Sequence, residues 1–362
     1  IEPFDQQRHD NTTDLGQVSL MPGLIDTHVH GAKGCDVMDA EHSSLDTMSR
    51  FFASQGVTAF VATTVTAPVR KIRAALQQVA KSKQCGVQGA EILGAYLEGP
   101  YFTEKNRGAH PTEWFRELSV EELEQWISYS DNQLITFALA PEKQGALDAI
   151  RYLKKQGIKV MLGHTDASYD QVQQALDAGA SGIVHCYNGM RGIHHRDPGV
   201  VGAGLCHPNS YVEMIADGHH VHPCAIDIAH RCCGSRLTLI TDAMCATGMP
   251  DGQYTLGEYT VEMKGGVVTT DTGSLAGSTL TLLNAVSNSQ NWLKLPLEQA
   301  WLMASLTPAQ SLNLQHQLGT LEVGKHASMV AIHSDFSIAK TWVNGRLVFD
   351  RDAVSSQEAL CI

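Results

Sequence analysis

The chain has 362 residues, 43% of them hydrophobic and 18% charged, with a formal net charge of −12. This is the balance of an ordered globular protein, with only the first dozen and last ten residues reading as disordered. The acidic surplus excludes the Lys/Arg stripes that a nucleic acid or an acidic membrane surface requires, while a small anionic ligand held by one local Arg remains open.

Short apolar runs recur along the chain and read as strands near 24–30, 58–65, 91–98, 134–140, 159–164, 182–187, 211–217 and 237–242. Between them, segments such as SLDTMSRFFASQ, VRKIRAALQQVAKS, VEELEQWISYS, ALDAIRYLKKQG and YDQVQQALDAG carry apolar residues at three and four spacing, and two of these end in Gly, as helices do. Eight strands alternating with helices predict a parallel sheet closed into a (β/α)8 TIM barrel, which takes about 250 residues. After the eighth strand, residues 253–270 alternate like a hairpin, and 278–293 and 297–314 return to a helical pattern. The tail from Thr320 reads as strands with a two-residue Asn344-Gly345 turn, and the stretch up to VSLMPG adds one or two more. The expected organisation is therefore a barrel over 22–314 and a small β-sandwich domain built from residues 1–21 and 315–362.

Nine cysteines, an odd number without CxxC spacing, read as reduced and buried thiols, with Cys186 and Cys245 in apolar strands and the Cys232-Cys233 pair in the core face of a helix. No apolar run reaches about 18 residues and no signal peptide is visible, which points to a cytoplasmic protein. The chain opens at Ile1 rather than Met, so the lack of a targeting segment carries little weight.

Metal-ligating residue types stand at the ends of the predicted strands. His28 and His30 close LIDTHVH, Glu98 closes LGAYLEG, His164 closes VMLGH, His185 lies in IVHCYN and Asp242 closes LTLITDA. Side chains alternate along a strand, so His28 and His30 share one face. The C-terminal strand ends are where such a barrel builds its active site, and imidazoles with carboxylates suit a borderline divalent ion, zinc first and iron, manganese or cobalt next. A single strand-end His is more often a core or capping residue; four of them with Glu98 and Asp242 in successive units point to a metal-dependent hydrolase. A metal acidifies its water, so Asp242 is the candidate proton shuttle. His110, in the polar segment after Glu98, is the candidate that polarises a scissile carbonyl. Asn188-Gly189 and Arg196 form a candidate anion site, with an Arg196–Asp197 loop ion pair as the structural alternative. His220 follows the seventh strand, and Leu275-Ala276-Gly277 open a predicted helix whose free N–H groups suit an anion or sugar hydroxyls. GSLAGST lacks a Walker lysine, and neither GxGxxG after a strand nor Gly-x-Ser-x-Gly occurs.

MPGLIDTHVHG, LEGPYF, GAH, GHT, VHCYNGM, HHRDPG, IADGHHVH, LITDA and LAGST occur in an order that resembles the N-acetylhexosamine-6-phosphate deacetylases of the amidohydrolase superfamily, over residues 20–348. The resemblance implies release of acetate from an N-acetylated sugar phosphate in amino-sugar catabolism. It implies that Glu98, His164 and His185 hold the main metal and that Asp242 is the catalytic acid/base. His110 would touch the acetyl carbonyl, Asn188, Gly189 and Arg196 the phosphate, and His220 the sugar, with Ala109, Leu275, Ala276 and Gly277 lining the pocket. It also implies a homodimer in which the neighbouring subunit completes the phosphate site. Some relatives lack the HxH pair and bind one ion; this chain keeps it, so one or two ions per chain are expected. The N-terminal strands usual in the small domain are largely absent here. YLEGPYFTEKNRGAHP, VHCYNGM and IADGHHVHP look closer to the N-acetylgalactosamine-6-phosphate branch than to the N-acetylglucosamine-6-phosphate one. The rivals are another amidohydrolase, which would not need Arg196 with the YNGM loop, and a non-catalytic sugar-phosphate sensor, against which the full ligand set argues.

Overall fold

In the computed structural model, which describes residues 14–353, eight parallel strands follow one another around a barrel. They are Leu24–Val29, Val57–Thr63, Glu91–Glu98, Leu134–Leu139, Lys159–Leu162, Gly182–Ile183, Tyr211–Ile215 and Leu237–Ile240, each at its expected position. Val57–Thr63 is buried along its whole length, as a strand covered by side chains inside and helices outside must be. The outer helices follow the three-four spacing: His42–Ser54, Val69–Cys85, Val120–Tyr129, Ala146–Lys155 and Tyr169–Ala178. Local chemistry sets their ends. Ser168 and Gln171 form a reciprocal capping box, and the Ser119 hydroxyl accepts the Glu122 N–H. Gly199–Cys206, apolar on all sides and buried except for Cys206, is the next barrel helix; a Cβ on Gly204 would stand 2.5 Å from Ile183 Cδ1, so glycine permits the close approach to the strand.

The first and eighth strands meet at a seam that side chains and loop backbone complete. Asp26 accepts from the Thr241 hydroxyl at 2.6 Å, the Asp242 N–H donates to the His28 carbonyl, and the His30 N–H donates to that of Ala243. Lower down, Ile25 N–H donates to the Ala304 carbonyl and Leu239 N–H to that of Met303. This is why the helical stretch expected over 297–314 is broken into Leu297–Leu302 and Leu306–Ser311: the carbonyls between them serve the barrel.

The chain ends form a separate four-stranded antiparallel sheet, Ser19–Pro22, Met329–Ile332, Ile338–Val343 and Arg346–Asp350, in that order. Asn344 and Gly345, at φ 51° and 80°, make its two-residue turn. The Trp301 indole N–H donates to the Pro22 carbonyl, and the Thr341 hydroxyl to that of Ala53, which ties this sheet to the barrel. The rest of the small domain's expected N-terminal portion, residues 1–13, and the tail, 354–362, lie outside the described residues. The hairpin expected over 253–270 is a three-stranded meander, Gly252–Leu256, Tyr259–Lys264 and Val267–Thr269, lying over the C-terminal face of the barrel.

The expectation that the thiols are buried needs correction. Cys85, Cys206, Cys224 and Cys232 are exposed, while Cys186, Cys233 and Cys245 are buried. Neighbouring helix positions point in different directions, so only Cys233 of the vicinal pair faces the core.

Candidate active site

At the C-terminal ends of the strands the backbone turns sharply. His164, His185 and Asp242 have φ of 47°, 24° and 52°, a region that non-glycine residues seldom occupy and that clusters at functional sites. These turns aim His164 and His185 at Glu98, which is 2% exposed at the end of its strand, and Asp242 at His30 and His28. His164 Nε2 and His185 Nε2 stand 3.4 and 3.2 Å from Glu98 Oε1 and 3.1 Å from each other. On the other side, His28 Nε2 lies 3.4 Å from Glu98 Oε1 and His30 Nε2 3.4 Å from Oε2. Asp242 Oδ1 is 3.1 Å from His30 Nε2 and 3.6 Å from that of His28. Glu98 thus sits between two groups of ligand atoms.

The partner of each Nδ1 decides what its Nε2 can do. His164 Nδ1 donates to the Asn106 carbonyl, His185 Nδ1 to that of Asn188 and His30 Nδ1 to that of Thr63, at 3.1–3.2 Å. A carbonyl only accepts, so these imidazoles carry the proton on Nδ1 and present an Nε2 lone pair inward. Lone pairs that face one another and a carboxylate call for a cation among them, and the donor set fits a divalent metal. His28 is held likewise, with Nδ1 3.1 Å from Glu213 Oε2.

His110 differs. Its Nδ1 accepts from the Thr66 hydroxyl at 2.9 Å and from the Thr66 N–H at 3.4 Å, which leaves the proton on Nε2. Although Glu98, His110 and His164 lie close enough to share an ion, His110 offers a donor rather than a lone pair. Burial, then the neighbouring His164, push its pKa well below the usual imidazole value, so it stays neutral. Burial lowers His164 too. Burial opposes charge on Asp242, but the positive charge that His30 and His28 carry when protonated at Nε2 as well prevails and brings its pKa to about 2. Glu98 is likewise held well below the carboxylate range, with the His28 charge outweighing burial.

These groups floor a cavity of about 340 Å³, within the size range of small-molecule sites. Ala109, His110, Asn188, Gly189, His220, Leu275 and Gly277 line its walls, as does the turn of the meander at Leu256–Glu258. Asp217 Oδ2 accepts from His220 Nδ1 at 2.6 Å and fixes that ring. Glycines clamp His164: a Cβ on Gly189 would come within 2.8 Å of its Nδ1, and one on Gly108 within 3.1 Å of Cε1. Three expected residues are not on the cavity surface. His28 lies beneath it, and Ala276 is buried behind it. Arg196 is exposed on a loop and contacts His195 Nε2 at 2.7 Å; Asp197 pairs with Arg191 instead of Arg196. Residues 275–277 do not open a helix. Ala276 N–H donates to Val268 and Ser278 N–H to Asp242, and the helix Leu282–Leu293 starts only after its Thr281 cap.

Glu213, Thr63, Thr66, Asn106 and Asp217 orient the site and were not singled out by sequence reasoning. Glu213 alone left a usable signal: a carboxylate in the middle of the apolar strand YVEMI. The carbonyls of Thr63 and Asn106 leave none, because any residue has one.

A (β/α)8 barrel with this buried imidazole–carboxylate cluster at its C-terminal face is a metal-dependent hydrolase. The chain belongs to the amidohydrolase family, whose model matches residues 19–348. It is 77% identical to an N-acetylglucosamine-6-phosphate deacetylase of Vibrio furnissii, over the whole chain and 91% of that relative. It is 52% identical to an N-acetylgalactosamine-6-phosphate deacetylase of Escherichia coli O157:H7, over 96% of the chain and 91% of that relative. A solved mutant of the N-acetyl-D-glucosamine-6-phosphate deacetylase from Mycobacterium smegmatis, in complex with N-acetyl-D-glucosamine-6-phosphate, superposes with a TM-score of 0.89 at 32% identity, covering 94% of this chain and 90% of that one.

These identities overturn the placement on the galactosamine branch. The three stretches that suggested it border the metal ligands and the cavity wall, and likeness there does not single out a contact to the C4 hydroxyl, the group by which the two sugars differ.

Proposed function

We propose that the protein hydrolyses the N-acetyl group of N-acetyl-D-glucosamine 6-phosphate to the amino-sugar 6-phosphate and acetate. The observation that carries the metal-dependent part is the pair of inward Nε2 lone pairs of His164 and His185 beside Glu98 at the cavity floor. The 77% identity to a relative of that activity supports the choice of sugar.

In this reading Glu98, His164 and His185 would hold one divalent ion, with zinc suited to the mixed nitrogen and oxygen ligands, and His28 and His30 with Glu98 and Asp242 would hold a second. When bound, such an ion would supply acidified water and Lewis-acid charge. Asp242, ionised and buried beside His30, takes the proton as water adds to the acetyl carbon. His110 donates its Nε2–H to the carbonyl oxygen as negative charge builds there. Asp242 then returns the proton to the sugar nitrogen, the C–N bond breaks and acetate departs. His220, oriented by Asp217, holds the sugar; Asn188 and Gly189 serve the phosphate; Ala109 and Leu275–Gly277 shape the pocket. Arg196 lies outside its own subunit's cavity, which supports a homodimer in which this loop completes the phosphate site of the neighbour.

Acetate release measured on both sugar phosphates tests the reading. The glucosamine substrate should give a kcat/KM about tenfold or more above its C4 epimer, the scale of one well-placed hydroxyl contact. A preference for the galactosamine substrate would overturn the assignment.

A further inference from the structure

Strand Tyr211–Ile215 carries Glu213 at its centre, 4% exposed and directed into the barrel interior beside Thr27, Thr136 and Thr238. Interior positions of this fold are ordinarily filled by branched apolar side chains. A carboxylate there is strongly unfavourable unless it is partnered. Its ion-pair partner among the described residues is His28, with Nδ1 3.1 Å from Oε2. The opposite ring nitrogen of His28 faces Glu98 and Asp242, and the Tyr96 ring lies against the imidazole with centroids 4.9 Å apart. Of the imidazoles that present an Nε2 lone pair, His30, His164 and His185 are oriented by a neutral backbone carbonyl, and His28 by a buried carboxylate.

We propose that Glu213 is the positioning residue of the second ion subsite. By accepting the Nδ1 proton of His28 it aims the Nε2 lone pair at the space shared with His30, Glu98 and Asp242, and it raises the basicity of that nitrogen. It lies outside the cavity lining and reaches the site through His28, so its effect falls first on the ion that His28 would hold. The inference rests on the two-subsite reading given above.

The test is zinc binding to the metal-free full chain, with ions per chain from elemental analysis and affinities from chelator competition. Wild type should bind two ions. Glu213→Gln should weaken the second about 10–100-fold, the usual effect of losing such an outer partner, and leave the first unchanged. Glu213→Asp, which keeps the charge but withdraws it, should also weaken the second ion, and it carries the comparison if the amide variant does not fold. In a His28→Asn background, Glu213→Gln should have no further effect, because the two side chains act as a unit. Two ions held equally by wild type and variant, or equal weakening at both subsites, would overturn the role of Glu213 and leave the two-subsite reading standing. A single ion in wild type at saturating zinc would overturn the two-subsite reading and this proposal with it.

Discussion

His164 and His185 bring their Nε2 atoms to 3.1 Å, and the proton that would make this a hydrogen bond is on neither of them. Each ring has its Nδ1–H committed to a backbone carbonyl, of Asn106 and Asn188. Two lone pairs and a carboxylate oxygen crowded into one buried place are repulsive in themselves, and a cation turns the same arrangement into a binding site.

Chelation should therefore abolish acetate release, and zinc or another divalent ion should restore it. His164→Gln or His185→Gln should lose the ion of this subsite in elemental analysis. Full activity in exhaustively metal-free protein would remove the basis of the mechanism.

Asp242→Asn should lower kcat by roughly 10²–10⁴, the usual contribution of a positioned acid–base group, with KM changed far less. Steady-state and single-turnover kinetics on the metal-loaded variant check this. A kcat within a few-fold of wild type would place the proton transfer on another group.

Gly189 has a φ of 58° and faces the His164 ring, so a methyl group there meets both backbone strain and a clash with Nδ1. Gly189→Ala should destabilise the protein by about 1 kcal/mol through the backbone and, separately, weaken the metal by tilting His164. Chelator competition beside thermal unfolding separates the two effects; unchanged metal affinity would show that the ring accommodates the methyl.

Arg196→Ala and Asp242→Asn should each be poorly active, Arg196→Ala through a KM raised about tenfold or more, the worth of a charge-assisted contact. Mixed dimers of the two variants should recover part of the wild-type kcat/KM, because one pocket in each then has an intact Asp242 and an intact Arg196 from the other subunit. No recovery in mixed dimers would return Arg196 to its own subunit or to a purely structural loop.

Burial raises the Asp26 pKa from 3.8 to about 6, against the opposing hydrogen bonds from Thr241 and the His28 N–H. The folded state thus keeps this proton to a higher pH than the unfolded chain. The stability is fully present below about pH 4 and is lost as pH rises through about 6, because the unfolded state ionises first. Asp26→Asn should flatten this decline, and the stability difference between wild type and variant should change by about 2–3 kcal/mol across that window. Urea unfolding of the metal-free proteins at pH 4, 5, 6 and 7 measures it; parallel curves would mean that Asp26 is ionised throughout.

The alternation of strands and helices, the eight-strand count and the placement of His28, His30, Glu98, His164, His185 and Asp242 at strand ends were all legible in the residue order. The reason is that apolar periodicity and strand-end position are local properties, and parallel strands carry their ends to one face of the barrel. What each group can do was settled elsewhere. The Nδ1 partners, supplied by Thr63, Thr66, Asn106, Asn188 and Glu213 from separate strands and loops, make four imidazoles ligands with an inward lone pair and make His110 a donor. Likewise, only the fold withdraws Ala276 from the cavity and places Arg196 outside it, and only the need of Ile25 and Leu239 for acceptors breaks the helix expected after residue 297. Hydrogen bonds between residues far apart in the chain leave no periodic trace in sequence, because any backbone carbonyl serves. The kind of site was therefore determined locally, and the chemistry of each atom in it by the tertiary structure.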